Sequence, residues 1–382
     1  MADNTKLKNA KAVKNDEFYT CYDTISNEVG HYRDQFKGQI VYCNCDDPTW
    51  SNFWRYFHSN FASLGLKKLI ATHYAKDSQP SYAMIYDGGD DFNMDAGKVV
   101  EIVGNDNYSA GDFRSDACIS FLNESSIVCT NPPFSLFREY IATLVSSGKE
   151  FLVLGNQNAA TTKDIFPLFK ENKMWYGASI HSGGIDFRMP DDYDEYSKNV
   201  FIKEDGHHYI NLAGIRWFTN MDVKYRHDGL WHLNGKFDDT QAHKYYEGNE
   251  TLYPMYDNYD AIEVNKTKNV PIDFDGIMGV PVTFLDKFNP DEFELLGCTQ
   301  RGCHDLVPDT KKYDDYWEVK QDGTRTKSTG AKTNENGNLA MNDGKHNYFI
   351  NTEGHIVQST YSRLFIRNRN PISKDKDLGY KA

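Results

Sequence analysis

Apolar and polar positions in the first half of the chain alternate between two rhythms. Residues 39–43 form a β-rich run ending at a turn. Residues 51–64 follow with Phe53, Phe57, Phe61 and Leu64 at helical spacing, which predicts a strand and then an amphipathic helix. Residues 68–72 and 99–103 read as the second and third strands, and the Gly- and Asp-rich stretch 86–97 between them reads as a hairpin-like turn. Residues 126–130 predict a short buried strand, 135–145 a helix and 150–155 the next strand, with Thr161 placed as the cap of a helix running to about residue 171. Such β–α repetition predicts an α/β fold, a parallel sheet with helices on both faces. Beyond residue 225 the pattern shifts to Tyr-, Asn- and Asp-rich segments with short β runs at 280–285 and 292–296. The polar stretch 323–338 reads as an exposed loop. The expected organisation is a basic tail over 1–14, an α/β domain over 15–225 and an α+β region over 226–382.

Composition supports a folded chain. Of 382 residues 39% are apolar, and 6 Trp, 25 Tyr and 23 Phe give ample side-chain area for a core, which excludes disorder over most of the length. The apolar runs are strand-sized, well short of the roughly 20 residues that span a bilayer, so no membrane segment is expected. The N-terminus lacks the apolar stretch of a secretory signal, and the expected location is the cytoplasm. Seven scattered cysteines predict reduced thiols. Neither Cys43-x-Cys45 nor the Cys298, Cys303 and His304 group has the spacing that lets two thiolates share one zinc ion, and no metal is expected.

Net charge is −13, with +3 on residues 1–14, +4 on 361–382 and −20 in between. This excludes a passive nucleic-acid coat and leaves only local basic patches as a phosphate footprint. Arg301, Lys311, Lys312, Arg325 and Lys327 are basic candidates in the second half, each also explained as a solvated surface residue.

The informative motif is Asn131-Pro132-Pro133-Phe134, directly after the strand at 126–130 and before a helix. A rigid strand-to-helix turn would also use two prolines. The chemical reading starts from adenine, whose exocyclic amine is a poor nucleophile because its lone pair is delocalised into the ring. Two fixed acceptors, the Asn131 side-chain carbonyl and the Pro132 backbone carbonyl, would draw that nitrogen toward tetrahedral geometry. Phe134 offers a plate for an extruded base. The electrophile is then an activated methyl, which implies S-adenosyl-L-methionine. That cofactor calls for carboxylates near strand ends. Asp46 and Asp47 follow the first strand, where a helix N-cap with an acidic first turn is the simpler explanation, and Asp112 of Gly111-Asp112-Phe113 precedes the motif strand.

With these residues in view, the chain resembles the EcoRI-type adenine-specific DNA methyltransferases over most of its length. The resemblance rests on Asp16-Glu17-Phe18-Tyr19-Thr20, on residues 41–48 with Ser51-Asn52-Phe53-Trp54, on Gly111-Asp112-Phe113 and Asn131-Pro132-Pro133-Phe134, and on Trp217-Phe218-Thr219-Asn220 and residues 279–285. It implies a class I, Rossmann-like methyltransferase sheet with S-adenosyl-L-methionine over the strand ends. It also implies a C-terminal target-recognition region, base flipping and N6 methylation of adenine in double-stranded DNA. The expected setting is restriction-modification, with a cognate restriction endonuclease sharing the target site. Carried over by position, Phe18, Tyr19, Thr20, Cys43, Asp46, Asp47 and Asp112 are expected as cofactor contacts, and Asn131, Pro132, Pro133 and Phe134 as the catalytic turn.

The sequence departs from the wider pattern in three places. The first-strand loop lacks glycines and carries Asp47 and Pro48. No acid follows the second strand in Ala71-Thr72-His73-Tyr74, which leaves the ribose hydroxyls of the cofactor without an assigned partner. Cys21 stands where proline is common. An Asn-Pro-Pro-aromatic turn also suits RNA or a protein glutamine, and an acidic fold without activity would act as a DNA decoy. The intact Asn131-Pro132-Pro133 argues for an enzyme.

Overall fold

The computed structural model describes residues 19–371 except 46, 76–80, 95, 182, 190–199, 228–236, 238–252, 254–255, 257–258, 300–302, 304–315, 329–346 and 358–361. Phe18, Asp46, Arg301, Lys311 and Lys312 lie outside the described residues. The chain divides into two compact units, residues 1–157 with 174–223, and 158–173 with 224–382.

Among the described residues of the first unit lie the strands β1 (Tyr19–Thr20), β2 (Ile40–Asn44), β3 (Lys68–Thr72), β4 (Ser81–Tyr86), β5 (Lys98–Ile102), β6 (Ile127–Thr130), β7 (Glu150–Asn156), β8 (Trp175–Tyr176), β9 (Gly184–Arg188), β10 (Val200–Ile202), β11 (His208–Ala213) and β12 (Ile215–Thr219). Its helices are α1 (Tyr22–Val29), α2 (Asn52–Ser59), α3 (Phe61–Leu64), α4 (Asp116–Glu124) and α5 (Phe137–Ser146). Eight strands make one mixed sheet in the order β5-β4-β3-β2-β6-β7-β12-β8. Its centre, β3-β2-β6-β7, is parallel. These central strands are buried almost throughout, as strands covered on both faces must be. Val41, Cys43, Leu69, Ala71, Ile127 and Cys129 share a core with Ile25 and Val29 of α1 and with Phe53 and Phe57 of α2. From the other side, Tyr42 meets the Phe121 ring of α4 at 6.1 Å, and Phe137 of α5 packs edge-on against Phe218. The β–α reading thus holds for the centre of the sheet.

At the edges it needs correction. The expected third parallel strand is β5, an edge strand antiparallel to β4, and β4 itself was missed. Tyr86 to Gly97 does connect the two, as the turn reading expected. At the other edge β12 runs antiparallel to β7. The helix expected over 51–64 breaks at Asn60 into α2 and α3, and α3 stops at Gly65, which takes φ +65°. Thr161 caps nothing: its hydroxyl donates to the Asn158 carbonyl, and the following helix is only Phe166–Lys170. β9, β10 and β11 form a separate antiparallel sheet that also pairs with β1.

In the second unit one sheet runs Ile262–Glu263, Met278–Pro281, Arg363–Asn368, Phe293–Cys298, and another runs Arg325–Ser328, Tyr316–Val319, Tyr348–Asn351, Ile356–Val357. The β run expected at 280–285 ends at Pro281 and continues as a 3-10 turn. The polar stretch expected as a loop from 323 contains a strand at Arg325–Ser328, which carries Arg325 and Lys327, both exposed.

The chain leaves β2 for β3 on one side and later places β6 on β2's other side. Strand order therefore reverses between β2 and β6, the place in an open parallel sheet where a crevice opens at the carboxyl ends.

Candidate active site

The segments leaving β2, β3 and β6, with the turn before α4, surround a cavity of ≈ 410 Å³. Tyr19, Cys45, Asp47, Trp50, His73, Tyr74, Gly111, Asp112, Phe113, Arg114, Asn131, Pro133 and Leu136 line it. Hydrogen bonds hold the two central strand ends together. Thr130 Oγ1 donates to the Asn44 carbonyl at 3.0 Å, and Tyr140 Oη of α5 donates to Asn44 Oδ1.

Two backbone positions shape the wall. Cys45, at the end of β2, has φ +93°, a conformation that L residues with a Cβ rarely adopt. The loop thus makes, without glycine, the sharp turn for which glycine is the usual choice. Gly111 has φ +82°, and a Cβ there would lie 1.9 Å from the His73 carbonyl oxygen, so no other residue fits without moving the end of β3.

The two carboxylates are held in different ways. Asp47 Oδ1 accepts from Tyr82 Oη at 2.6 Å, Thr49 Oγ1 at 2.7 Å and Thr49 N at 2.9 Å. Its Oδ2 stands 3.6 Å from His73 Nε2. Burial, with the bond to Asp47 second, pushes the Tyr82 phenol up to about 12, so it remains a donor at neutral pH. Asp112 is gripped on both oxygens by Arg114: Nε and the backbone N–H donate to Oδ1 at 2.9 Å each, and Nη2 to Oδ2 at 2.8 Å. Arg114 also reaches Glu139 at 3.3 Å and lies 4.6 Å from the centre of the Tyr108 ring. Its guanidinium is pushed further up, first by the bond to Asp112. Tyr19 and Trp50 set their ring centres 4.0 Å apart on the same cavity.

Of the expected site residues, the cavity gathers Tyr19, Asp47, Asp112, Asn131 and Pro133. Thr20 is buried outside the lining, its carbonyl accepting from Asn52 Nδ2 at 2.7 Å. Cys43 is fully buried in the core cluster on β2, and Pro132 is buried and outside the lining. Phe134 is half-buried against the same core and is absent from the lining. Trp50, His73, Tyr74 and Arg114 complete the wall and were not singled out from sequence. His73 and Tyr74 lie in the stretch read as lacking an acid, and that departure was the available signal.

Among the described residues no helix is long and apolar enough to cross a membrane. No solved structure matches the chain. Type II methyltransferase M.EcoRI of Escherichia coli is 45% identical over 306 residues, 77% of this chain and 89% of that protein. Type II methyltransferase M.MpnI of Mycoplasma pneumoniae is 42% identical over 291 residues, 76% of this chain and 84% of that protein. Type II methyltransferase M.MgeORF184P of Mycoplasma genitalium is 42% identical over 293 residues, with the same two coverages. The profile of the family described as "Adenine-specific methyltransferase EcoRI" matches residues 6–369, and with its NPPF turn and two carboxylates on one switch-point cavity, the chain belongs to that family.

Proposed function

We propose that this adenine-specific methyltransferase transfers a methyl group from S-adenosyl-L-methionine to N6 of an adenine flipped out of double-stranded DNA, and that it protects the cell's own DNA in the cytoplasm against a restriction endonuclease of the same target site. One observation carries the reading: Asn131 and Pro133 share a cavity with two carboxylates at the point where strand order reverses. The parallel centre flanked by antiparallel β12 favours a class I, Rossmann-like methyltransferase sheet. The second unit, rich in short strands, is the proposed target-recognition region. Family membership weighs against a glutamine substrate and against an inactive decoy.

The cavity suits the cofactor. Its volume lies within the range of small-molecule sites, Tyr19 and Trp50 offer faces to a nucleoside, and Asp47 sets a carboxylate on the wall, whereas the charge of Asp112 is balanced by Arg114. Bound there, S-adenosyl-L-methionine supplies an electrophilic methyl carbon. The chain's own work is positioning. Asn131 Oδ1 and the Pro132 carbonyl accept from the two N–H groups of the adenine amine, and the proline pair fixes the direction of the second acceptor. Phe134, at the edge of the same turn, is the proposed plate for the flipped base.

Incubation with labelled S-adenosyl-L-methionine and duplex DNA is expected to place label on adenine N6. Label in RNA or protein instead would overturn the substrate assignment. Asn131→Ala is expected to lower transfer by at least about 100-fold while cofactor binding persists. Near-normal turnover in that variant would remove Asn131 from the mechanism.

A further inference from the structure

Among the described residues, the cavity holds two acceptors that face each other with no donor between them. Ser81 Oγ donates its only hydrogen to the His73 carbonyl at 2.6 Å, so its 2.8 Å contact with His73 Nδ1 must carry the imidazole's proton. In neutral His73 that leaves Nε2 as an acceptor. Stacking against Tyr82, with ring centres 5.1 Å apart and planes 22° from parallel, holds the imidazole in place. Opposite, Asp47 has three donors on Oδ1, which fix the carboxylate, and among the described residues none within hydrogen-bond distance on Oδ2. The two acceptors lie 3.6 Å apart.

From this geometry we infer that Asp47 Oδ2 and His73 Nε2 form a clamp for a vicinal diol, namely the ribose hydroxyls of the cofactor. This inference rests on the cofactor reading above. A vicinal diol supplies two O–H donors on adjacent carbons, one for each acceptor. A single hydroxyl would satisfy only one of them. The other cavity acid is a poorer candidate, since both Asp112 oxygens are taken by the Arg114 fork. Partial burial adds to the effect at the carboxylate: the Asp47 side chain is 13% exposed, against 33% for His73, so a hydroxyl on Asp47 Oδ2 competes with less water than one at an open surface. The clamp supplies the ribose partner that the stretch Ala71-Thr72-His73-Tyr74 lacks as an acid: the residue after β3 contributes an imidazole, and the carboxylate comes from the loop after β2. Asp47 and His73 are thus specificity-determining residues for the ribose, distinct from the turn that handles the target amine.

The test is calorimetric binding of S-adenosylhomocysteine and its 2′-deoxy analogue to the full-length protein, with no turnover involved. Wild type is expected to bind the deoxy analogue about 10–100-fold more weakly. Asp47→Asn keeps an acceptor for Tyr82 and Thr49 but replaces the second oxygen by a donor. His73→Phe keeps a ring on Tyr82 but loses the acceptor. Each variant is expected to bind the ribonucleoside about tenfold more weakly and to lose most of its preference over the deoxy analogue, at an unchanged melting temperature. If both variants keep the wild-type preference, the clamp is overturned while the cofactor reading stands. If wild type binds neither nucleoside, the cofactor reading falls and the clamp with it. Should Asp47→Asn fail to fold, His73→Phe decides alone.

Discussion

Asp47 and Asp112 stand on one cavity wall, and their neighbours give them different work. Three donors on one oxygen turn Asp47 into an oriented acceptor, whereas the Arg114 fork makes Asp112 part of the wall's own charge balance. The sequence offered both as equivalent acids, because side-chain partners such as Tyr82, 35 residues from Asp47, leave no mark in local spacing. Phe134 is divided in the same way: its letter in the motif suggests a base plate, and its position against the core shows a packing role as well. Phe134→Ala is expected to slow methyl transfer by one to two orders of magnitude, in line with a stacking loss of about 1–3 kcal/mol. An unchanged rate together with a lowered melting temperature would assign the ring to the core alone.

At the level of elements, α2 was legible because it carries its own signals. Ser51 caps it by accepting from Phe53 N at 3.1 Å, and Phe53 and Phe57 fall on its buried stripe. Its end was not legible, since the break at Asn60 sits inside an apolar rhythm that continues into α3. Strand β4 was missed for a related reason: Ser81, Ala83, Met84 and Tyr86 are buried while Tyr82 and Ile85 are half-buried, so the strand that leads into the β4–β5 connection shows no clean alternation. That connection leans on α2 through His58, which is fully buried, stacks on Tyr86 at 4.0 Å and uses Nδ1 on the Asp91 carbonyl. Among the described residues Nε2 has no partner. Burial lowers the His58 pKa below its ordinary 6.5, against a smaller opposing pull from the Asp91 carbonyl. In the window between that lowered value and 6.5 the unfolded chain binds the extra proton, so this contribution to stability is complete above the window and is lost as pH falls through it. Urea midpoints are therefore expected to fall between pH 7.5 and 5.5, with a smaller fall in His58→Phe. Equal slopes in the two proteins would remove His58 as the cause.

For the whole molecule, burial of charge is the costliest choice, and in the second unit one buried pair shows how it is compensated. Arg363 donates to Glu263 Oε1 at 2.8 and 3.0 Å with both side chains about nine-tenths buried, and Tyr256 Oη donates to the other carboxylate oxygen. Arg363→Ala leaves that carboxylate buried without its cation, and is expected to cost about 3–5 kcal/mol in chemical denaturation. The cavity is lined by first-unit residues alone, so nucleoside affinity is expected to persist below that transition. A loss under about 1 kcal/mol would show that water reaches the pair. The chain's own order of letters determined the α/β centre, the proline-fixed turn at Asn131-Pro132-Pro133 and the family, because strand burial, proline geometry and motif spacing are local properties. Only the folded chain decided which acid is held through one oxygen alone among the described residues, that His73 stands opposite it and that β5 is an antiparallel edge. Each of these depends on groups distant in sequence meeting in space, where competition for hydrogen-bond partners is settled.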